Sequence, residues 1–227
     1  MNEVGSIMSC MKKKAIVLLS GGQDSATCLA IAKQKFEEIH CICFDYGQRH
    51  RIEIECSKVL AKRGNATFEC IDITFVKDLS QSALVTETIK IKDDPNSLPN
   101  TFVPGRNALF LTLASMIAYE KKCTTIFTGV CQTDYSGYPD CRQDFIKSQQ
   151  QTISLALDRS FKIETPLMYL TKKETVLMMQ KLELLEWYKD THTCYEGSRP
   201  ACGKCPACKL RLAGFKQANV KDPIRYK

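Results

Sequence analysis

Strand-like and helix-like spacings of apolar residues alternate along the chain. The segments Ala15 to Leu19, Ile39 to Phe44, Thr67 to Ile73, Thr124 to Thr128 and Phe161 to Glu164 read as strands. Between them lie stretches of helical period. Asp24 to Phe36 sets Cys28, Ile31, Ala32 and Phe36 on one face, Arg51 to Arg63 runs up to the helix stop Gly64, and Asn107 to Tyr119 spaces Phe110, Leu113 and Ile117 as a helix does. Strands alternating with helices predict an α/β fold, an open parallel sheet with helices on both faces. The apolar stripes are core. Residues 78 to 101 interrupt the rhythm with Asp93-Asp94-Pro95-Asn96 and Pro99-Asn100, which marks either a wall of the site or a plain surface loop.

The junction after the first strand carries chemistry. Ser20-Gly21-Gly22-Gln23-Asp24-Ser25 joins the strand to a helix. Gly21 and Gly22 let the backbone approach an anion closely. Ser20, Asp24 and Ser25 are expected to cap the helix, whose free N–H groups and positive dipole end point at the same place. An ordinary strand-to-helix turn uses the same residue types. Two glycines, flanking hydroxyls, a buried-strand signal and a helix onset together favour the phosphate site. No Gly-x-x-x-x-Gly-Lys-Ser/Thr occurs in the chain. The spacing Ser-Gly-Gly-x-Asp-Ser instead resembles the pyrophosphate loop of the ATP pyrophosphatases, which split ATP between its α and β phosphates and adenylate a substrate.

Composition narrows the setting. The 227 residues suffice for one domain with an appendage; 32 Lys and Arg against 25 Asp and Glu leave a net charge of +7, which suits anionic small substrates without demanding nucleic acid. No apolar run approaches the length of a membrane span, and the lysines before the first strand lead into a stretch too short for a secretory signal. The expected setting is the cytoplasm. Residues 1–13 read as an N-terminal extension, 14–185 as an ATP-binding α/β domain and 186–227 as a small segment packed on it.

Four further segments fall where strands end, the place at which open α/β sheets bind ligands. They are Asp45 to His50, Phe102 to Asn107, Gly129 to Arg142, and Thr165 to Leu167 with Thr171 to Glu174 beyond it. Each alone could be a turn or, for Thr171-x-x-Glu174, a capping box. Together they outline one site.

The chain has 13 cysteines, an odd number. Cys28, Cys41, Cys43, Cys70 and Cys123 read as small core residues of a reducing compartment. Cys194, Cys202, Cys205 and Cys208 differ, because they crowd into fifteen residues rich in Gly, Pro and Lys. Their spacing suits a closed, structural tetrahedral Zn2+ that supplies folding energy to a hydrophobe-poor segment. A [4Fe-4S] cluster is the rival occupant. It would favour a different enzyme, a tRNA sulfur-insertion enzyme that also adenylates. A zinc knuckle for nucleic acid is a third reading, weakened because only Tyr195 and Phe215 stand near the cysteines.

FDYGQRH at 44–50, FVPGRN at 102–107, DYSGYPDCR at 134–142 and CGKCPACKLR at 202–211 jointly resemble the 7-cyano-7-deazaguanine synthase family of queuosine precursor synthesis, across nearly the whole chain from residue 14. The resemblance implies an adenine nucleotide alpha-hydrolase-like, Rossmann-like fold. It also implies conversion of 7-carboxy-7-deazaguanine, ATP and ammonia to the nitrile by a homodimer that uses ATP, Mg2+ and one structural zinc per chain. On that basis Leu19, Ser20, Gly21, Gly22, Gln23, Asp24, Ser25, Ala26, Thr27, Cys28 and Leu29 are expected to hold the nucleotide. Ser20, Asp24, Ser25, Arg106 and Lys172 are expected to act on the reacting groups, with Asp24 orienting Mg2+ or the loop and Lys172 neutralising pyrophosphate. Arg106, Asp134, Tyr135, Tyr138 and Asp140 are expected to bind the substrate. His192 could substitute as a metal ligand, but with four cysteines present it is assigned to the pocket or surface. The small departures are Ala26, where a hydroxyl residue is usual, and Thr193, where serine is usual.

Overall fold

The first strand, β1 (Lys14–Leu18), is flanked by two apolar cores. Ala15 and Val17 point into one and Ile16 into the other, so the strand reads as a continuous apolar run. In the computed structural model, which describes residues 12–86, 88–91, 97–132 and 137–227, β1 pairs in parallel with β2 (Glu38–Asp45) and with β4 (Thr125–Phe127). β3 (Thr67–Asp72) joins β2, and β5 (Lys162–Glu164) joins β4. The order is β3-β2-β1-β4-β5, with every pair parallel. All five expected strands form. β4 and β5 are only three residues each, because the chain leaves the sheet early to supply loops at its carboxyl edge.

Helices cover both faces. α1 (Gln23–Lys33), α2 (Ile52–Arg63), α5 (Lys172–Lys181) and α6 (Pro206–Gln217) share the core containing Val17, and α3 (Arg106–Glu120) and α4 (Gln143–Ala156) share the core containing Ile16. The expected single stripe on α1 is too narrow, since Ser25 through Ala30 are all buried. This helix is enclosed, and periodicity fades when every face is apolar or small. It also ends at Lys33, leaving Phe36 in the turn, where it packs edge-on against Phe127 at 5.6 Å. Cys28, Cys41, Cys43 and Cys123 are buried as expected. Cys70 is not: it lies exposed on the edge strand β3.

From β1 the chain steps outward to β2 and β3, then crosses to β4 on the opposite side of β1. A reversal of this kind opens a crevice at the carboxyl ends of the two central strands. The loop after β1 sits in that crevice. Gly129, just past β4, approaches it so closely that a Cβ would stand 3.1 Å from the Ser25 nitrogen.

Residues 186–227 are not a free appendage. Tyr188 and Phe215 belong to the same core as β1 and meet edge-to-face at 5.7 Å. α6 lies against α5 at Gly214, where a Cβ would be 2.6 Å from that of Lys172. Arg211 ties the segment together from within. It is 1% exposed, its Nε and Nη2 donate to the two Asp222 oxygens at 2.8 and 2.9 Å, Nη1 donates to Thr191 Oγ1 at 2.6 Å, and Tyr226 Oη also donates to Asp222. Removing one member of a buried ion pair strands the other without water or counter-charge. Arg211→Met should therefore cost about 3–5 kcal/mol in denaturant unfolding. A loss below about 1 kcal/mol would show that the network does not hold this segment.

Candidate active site

The glycine loop is shaped by contact. Gly21 has φ +84°, and a Cβ there would lie 2.1 Å from the Glu53 carbonyl oxygen, so both conformation and space demand glycine. The expected side-chain cap is absent. Gly22 is the N-cap residue of α1, and no side chain accepts from its first turn. Ser25 Oγ instead donates to the Gly22 carbonyl at 3.0 Å, and Ser20 Oγ lies 3.2 Å from Ser25 Oγ. The hydroxyls brace the loop. Among the described residues the N–H groups of Gln23, Asp24 and Ser25 keep no acceptor, which is what an anion site at a helix N-terminus needs.

The loop opens into a cavity of about 540 Å3 bordered by Leu19, Ser20, Gly22, Gln23, Asp24 and Ser25. The rest of the expected nucleotide range lies behind these residues. Ala26, Thr27, Cys28 and Leu29 are completely buried beneath the loop, where Thr27 Oγ1 bonds Tyr188 Oη at 2.7 Å and burial pushes the Cys28 thiol up. They support the site without lining it.

Lys172 and Asp24 meet across the cavity floor, Nζ to Oδ2 at 2.6 Å. Lys172 is the first residue of α5. It is positioned by the expected capping box, in which Glu174 N donates to Thr171 Oγ1 at 3.3 Å and Thr171 N to Glu174 Oε2 at 2.7 Å. The other Asp24 oxygen, Oδ1, is buried with no hydrogen-bond partner among the described residues. An orphaned carboxylate oxygen beside an anion site is where a cation fits.

Arg106 opens α3 directly after Gly105, which takes φ +69°. Its guanidinium lies 5.5 Å from the Tyr46 ring centroid and 5.9 Å from that of Phe110, and Nη1 donates to Tyr46 Oη at 3.4 Å. Burial opposes its charge, but the oxygens of Tyr46, Tyr138 and Asp140 outweigh that and hold it firmly cationic. Its Nε is buried without a partner among the described residues. The group can bind an anion inside the cavity.

Tyr138 lines the cavity, its hydroxyl bonded to Thr101 Oγ1 at 2.6 Å. Asp140 does not. Its Oδ2 accepts from the Asn107 N–H at 3.0 Å, which steadies the start of α3 beside Arg106. Asp134 and Tyr135 lie outside the described residues. Residues of the 78–101 insertion that are described form a wall, contributing Leu84, Ile91, Pro99 and Thr101. Arg49 fixes this wall by donating its backbone N–H to the Leu84 carbonyl at 2.9 Å and Nη1 to Ile89 O at 3.2 Å.

The cysteine segment closes the remaining side. The His192 N–H donates to the Gly21 carbonyl at 2.9 Å, and His50 Nε2 bonds the Tyr195 carbonyl. Cys194, Cys202, Cys205 and Cys208 bring four buried sulfurs within 4.8 Å of one another. Backbone N–H groups of Cys202 and Cys205 each donate to a thiol sulfur at 3.3 Å, as they do around bound thiolates. Four thiolates at Zn–S bonds of about 2.3 Å stand about 3.8 Å apart around one tetrahedral ion. The sulfurs fit that spacing, whereas a cluster with four separate irons requires them farther apart. His192 takes no place in the set; its Nε2 is 3.2 Å from the Cys194 carbonyl oxygen.

Sequence reasoning places Tyr46 in a site segment but misses Glu53 and Phe110 as cavity residues. A carboxylate in the first turn after FDYGQRH was the available signal, but on a charged helix it reads as a solvated position.

A family model, "Queuosine biosynthesis protein QueC", matches residues 14–219. The chain belongs to the QueC family. A 7-cyano-7-deazaguanine synthase of Staphylococcus epidermidis is 48% identical over 207 residues, 90% of this chain and 93% of the relative. One from Lysinibacillus sphaericus is 49% identical over the same length, covering 90% and 94%. Among solved structures, a predicted subunit of tRNA methyltransferase from Methanocaldococcus jannaschii superposes with a TM-score of 0.50 at 16% identity over 74% of both chains, a likeness of fold alone. The QueC match takes in the glycine loop, Arg106 and all four clustered cysteines.

Gly21→Ala should weaken ATP binding by at least about tenfold, since strain at a positive φ costs about 1–3 kcal/mol before the clash with Glu53 is counted. Titration calorimetry on protein of unchanged circular dichroism is the check. An unaltered Kd would remove the loop from the nucleotide site.

Proposed function

We propose that this chain is an ATP-dependent carbon–nitrogen ligase that converts 7-carboxy-7-deazaguanine and ammonia to 7-cyano-7-deazaguanine in queuosine biosynthesis. One observation carries the reading: a single cavity joins the glycine loop to the half-buried cation Arg106, whose buried Nε keeps no partner among the described residues. An adenylating loop and an anion-binding arginine facing the same space are what activation of a carboxylate requires.

The substrate carboxylate, paired with Arg106, attacks the α-phosphorus of ATP; the α–β bridging P–O bond breaks and pyrophosphate leaves with its electrons. Ammonia then adds to the acyl carbon and AMP departs, giving the amide. In the second half the amide oxygen is activated in turn. Its loss as a phosphate ester, together with both nitrogen protons, leaves the nitrile. Backbone N–H groups of the α1 N-terminus, the Ser20 and Ser25 hydroxyls and Lys172 hold the phosphates. Tyr138 walls the heterocycle, and we assign Asp134 and Tyr135 to the same pocket. Asp24 would hold Mg2+ through Oδ1, where the ion neutralises triphosphate charge.

We assign zinc to the four cysteines as a structural ion. The close sulfur spacing supports one ion over an iron–sulfur cluster, and so supports the ligase over the tRNA sulfur-insertion alternative. No helix among the described residues is long and apolar enough to cross a membrane. We infer a cytoplasmic homodimer that acts on small molecules and not on nucleic acid.

Incubation with 7-carboxy-7-deazaguanine, ATP and ammonium should yield the nitrile by mass spectrometry. ATP consumption indifferent to that acid would overturn the assignment. Elemental analysis should give one zinc per chain, and Cys205→Ser should lose the metal and lower the melting temperature. Brown protein containing iron would instead favour the alternative.

A further inference from the structure

The cavity holds one carboxylate that the scheme above leaves unused. Glu53 stands in the first turn of α2, and its own carbonyl oxygen is the atom that presses on Gly21, so the side chain is anchored next to the phosphate loop. It lines the cavity, yet among the described residues no hydrogen bond or ion pair engages its carboxyl group. Four elements bring titratable groups toward it: Arg106 from α3, Cys43 and Tyr46 from β2 and its following loop, Cys56 from α2 itself, and Tyr195 from the cysteine segment. Burial drives its carboxyl group up to about 7, with the Arg106 charge only partly offsetting this.

Glu53 is half-buried, and a carboxylate enclosed in this way without a partner is costly; a cationic ligand in the cavity would supply the missing charge. Two reactants, ATP and the carboxylic acid, are anions and are served by Lys172, Arg106 and the helix terminus. The third is different. At neutral pH ammonia is almost wholly ammonium, a small cation that cannot attack until it gives up a proton.

We propose that Glu53 binds ammonium and takes its proton, releasing ammonia beside the acyl adenylate. The N–H electron pair stays on nitrogen and forms the bond to the acyl carbon. The C–O bond to phosphate breaks with its electrons going to AMP, and the surplus proton of the adduct leaves on the AMP phosphate. Glu53 returns its own proton to water before the next turnover. The inference rests on the ligase reading, and it adds a catalytic residue to it.

Glu53→Gln separates the steps. Acid-dependent exchange of labelled pyrophosphate into ATP, which needs no ammonia, should persist in the variant and shows that the site is folded. Its kcat/KM for ammonium should fall by about 100-fold, the usual scale of a lost base, with the KM for the heterocyclic acid little changed. Glu53→Asp should recover part of the loss. Against total ammonium, the wild-type rate should fall below about pH 7 as the carboxylate protonates and level off above it. The glutamine variant should keep climbing in step with free ammonia. An unchanged ammonium KM and pH profile in Glu53→Gln would overturn the proposal, as would a rise confined to the KM of the acid, which would mean that Glu53 reads the N–H edge of the heterocycle. Wild-type protein without acid-dependent exchange would remove the ligase reading and this inference with it.

Discussion

The site depends on a main-chain contact. Gly21 lies against the Glu53 carbonyl on one side and accepts the His192 N–H on its own carbonyl, so three distant stretches of chain meet at one residue without a side chain. β1 delivers the loop, α2 buttresses it and the segment before Cys194 covers it. Preorganisation follows from this geometry. Because the loop is clamped from outside, its first-turn N–H groups can stay uncapped and directed at the ligand, a state that an isolated helix end would relieve with a side chain or water.

Charge in the cavity is arranged by burial more than by number. Surface pairs such as Lys58–Glu55, with both partners more than half exposed, contribute little. The Asp24–Lys172 pair is more enclosed and leaves one carboxylate oxygen orphaned, and Arg106 leaves its Nε orphaned. Such groups are expensive in an empty protein and are satisfied when ligands arrive. Binding of phosphate, carboxylate and cation here would thus remove unfavourable terms already present in the fold. A site built this way discriminates against any ligand that lacks the matching charge.

Much of this was legible in the sequence, for identifiable reasons. The middles of β1 and β2 are buried between two helical layers and are apolar there, as Ala15 to Val17 and Cys41 to Phe44 show, which fixes their location. The glycine loop and the Thr171–Glu174 box are short-range devices whose geometry resides in adjacent residues. What failed depended on tertiary neighbours. The length of α1 was overestimated because Phe36 is apolar at helical spacing yet packs on Phe127 from a turn. Cys70 reads as core in the sequence because period-2 alternation cannot show that β3 is an edge strand. The bond from the Asn107 N–H to Asp140 spans 33 positions, and Glu53 escapes a sequence reading because only the approach of Arg106 and Gly21 turns an ordinary helix carboxylate into a cavity residue.

The cysteine segment shows why a structural metal can matter to chemistry it never touches. Its apolar cluster is little more than the four cysteines with Ala201, Tyr195, Ala207, Ile224 and Tyr226, too small to hold a rigid conformation without cross-linking. The residues adjoining Cys194 are those that touch the site: His192 bonds Gly21, and Tyr195 bonds His50. A metal on the sulfurs would stiffen the backbone on both sides of Cys194 and so hold the lid on the glycine loop. Arg211 anchors the other end of the same segment through Thr191 and Asp222. Such a metal and the ion pair would therefore act on one short stretch of chain from opposite directions, and the glycine loop would take its rigidity from both.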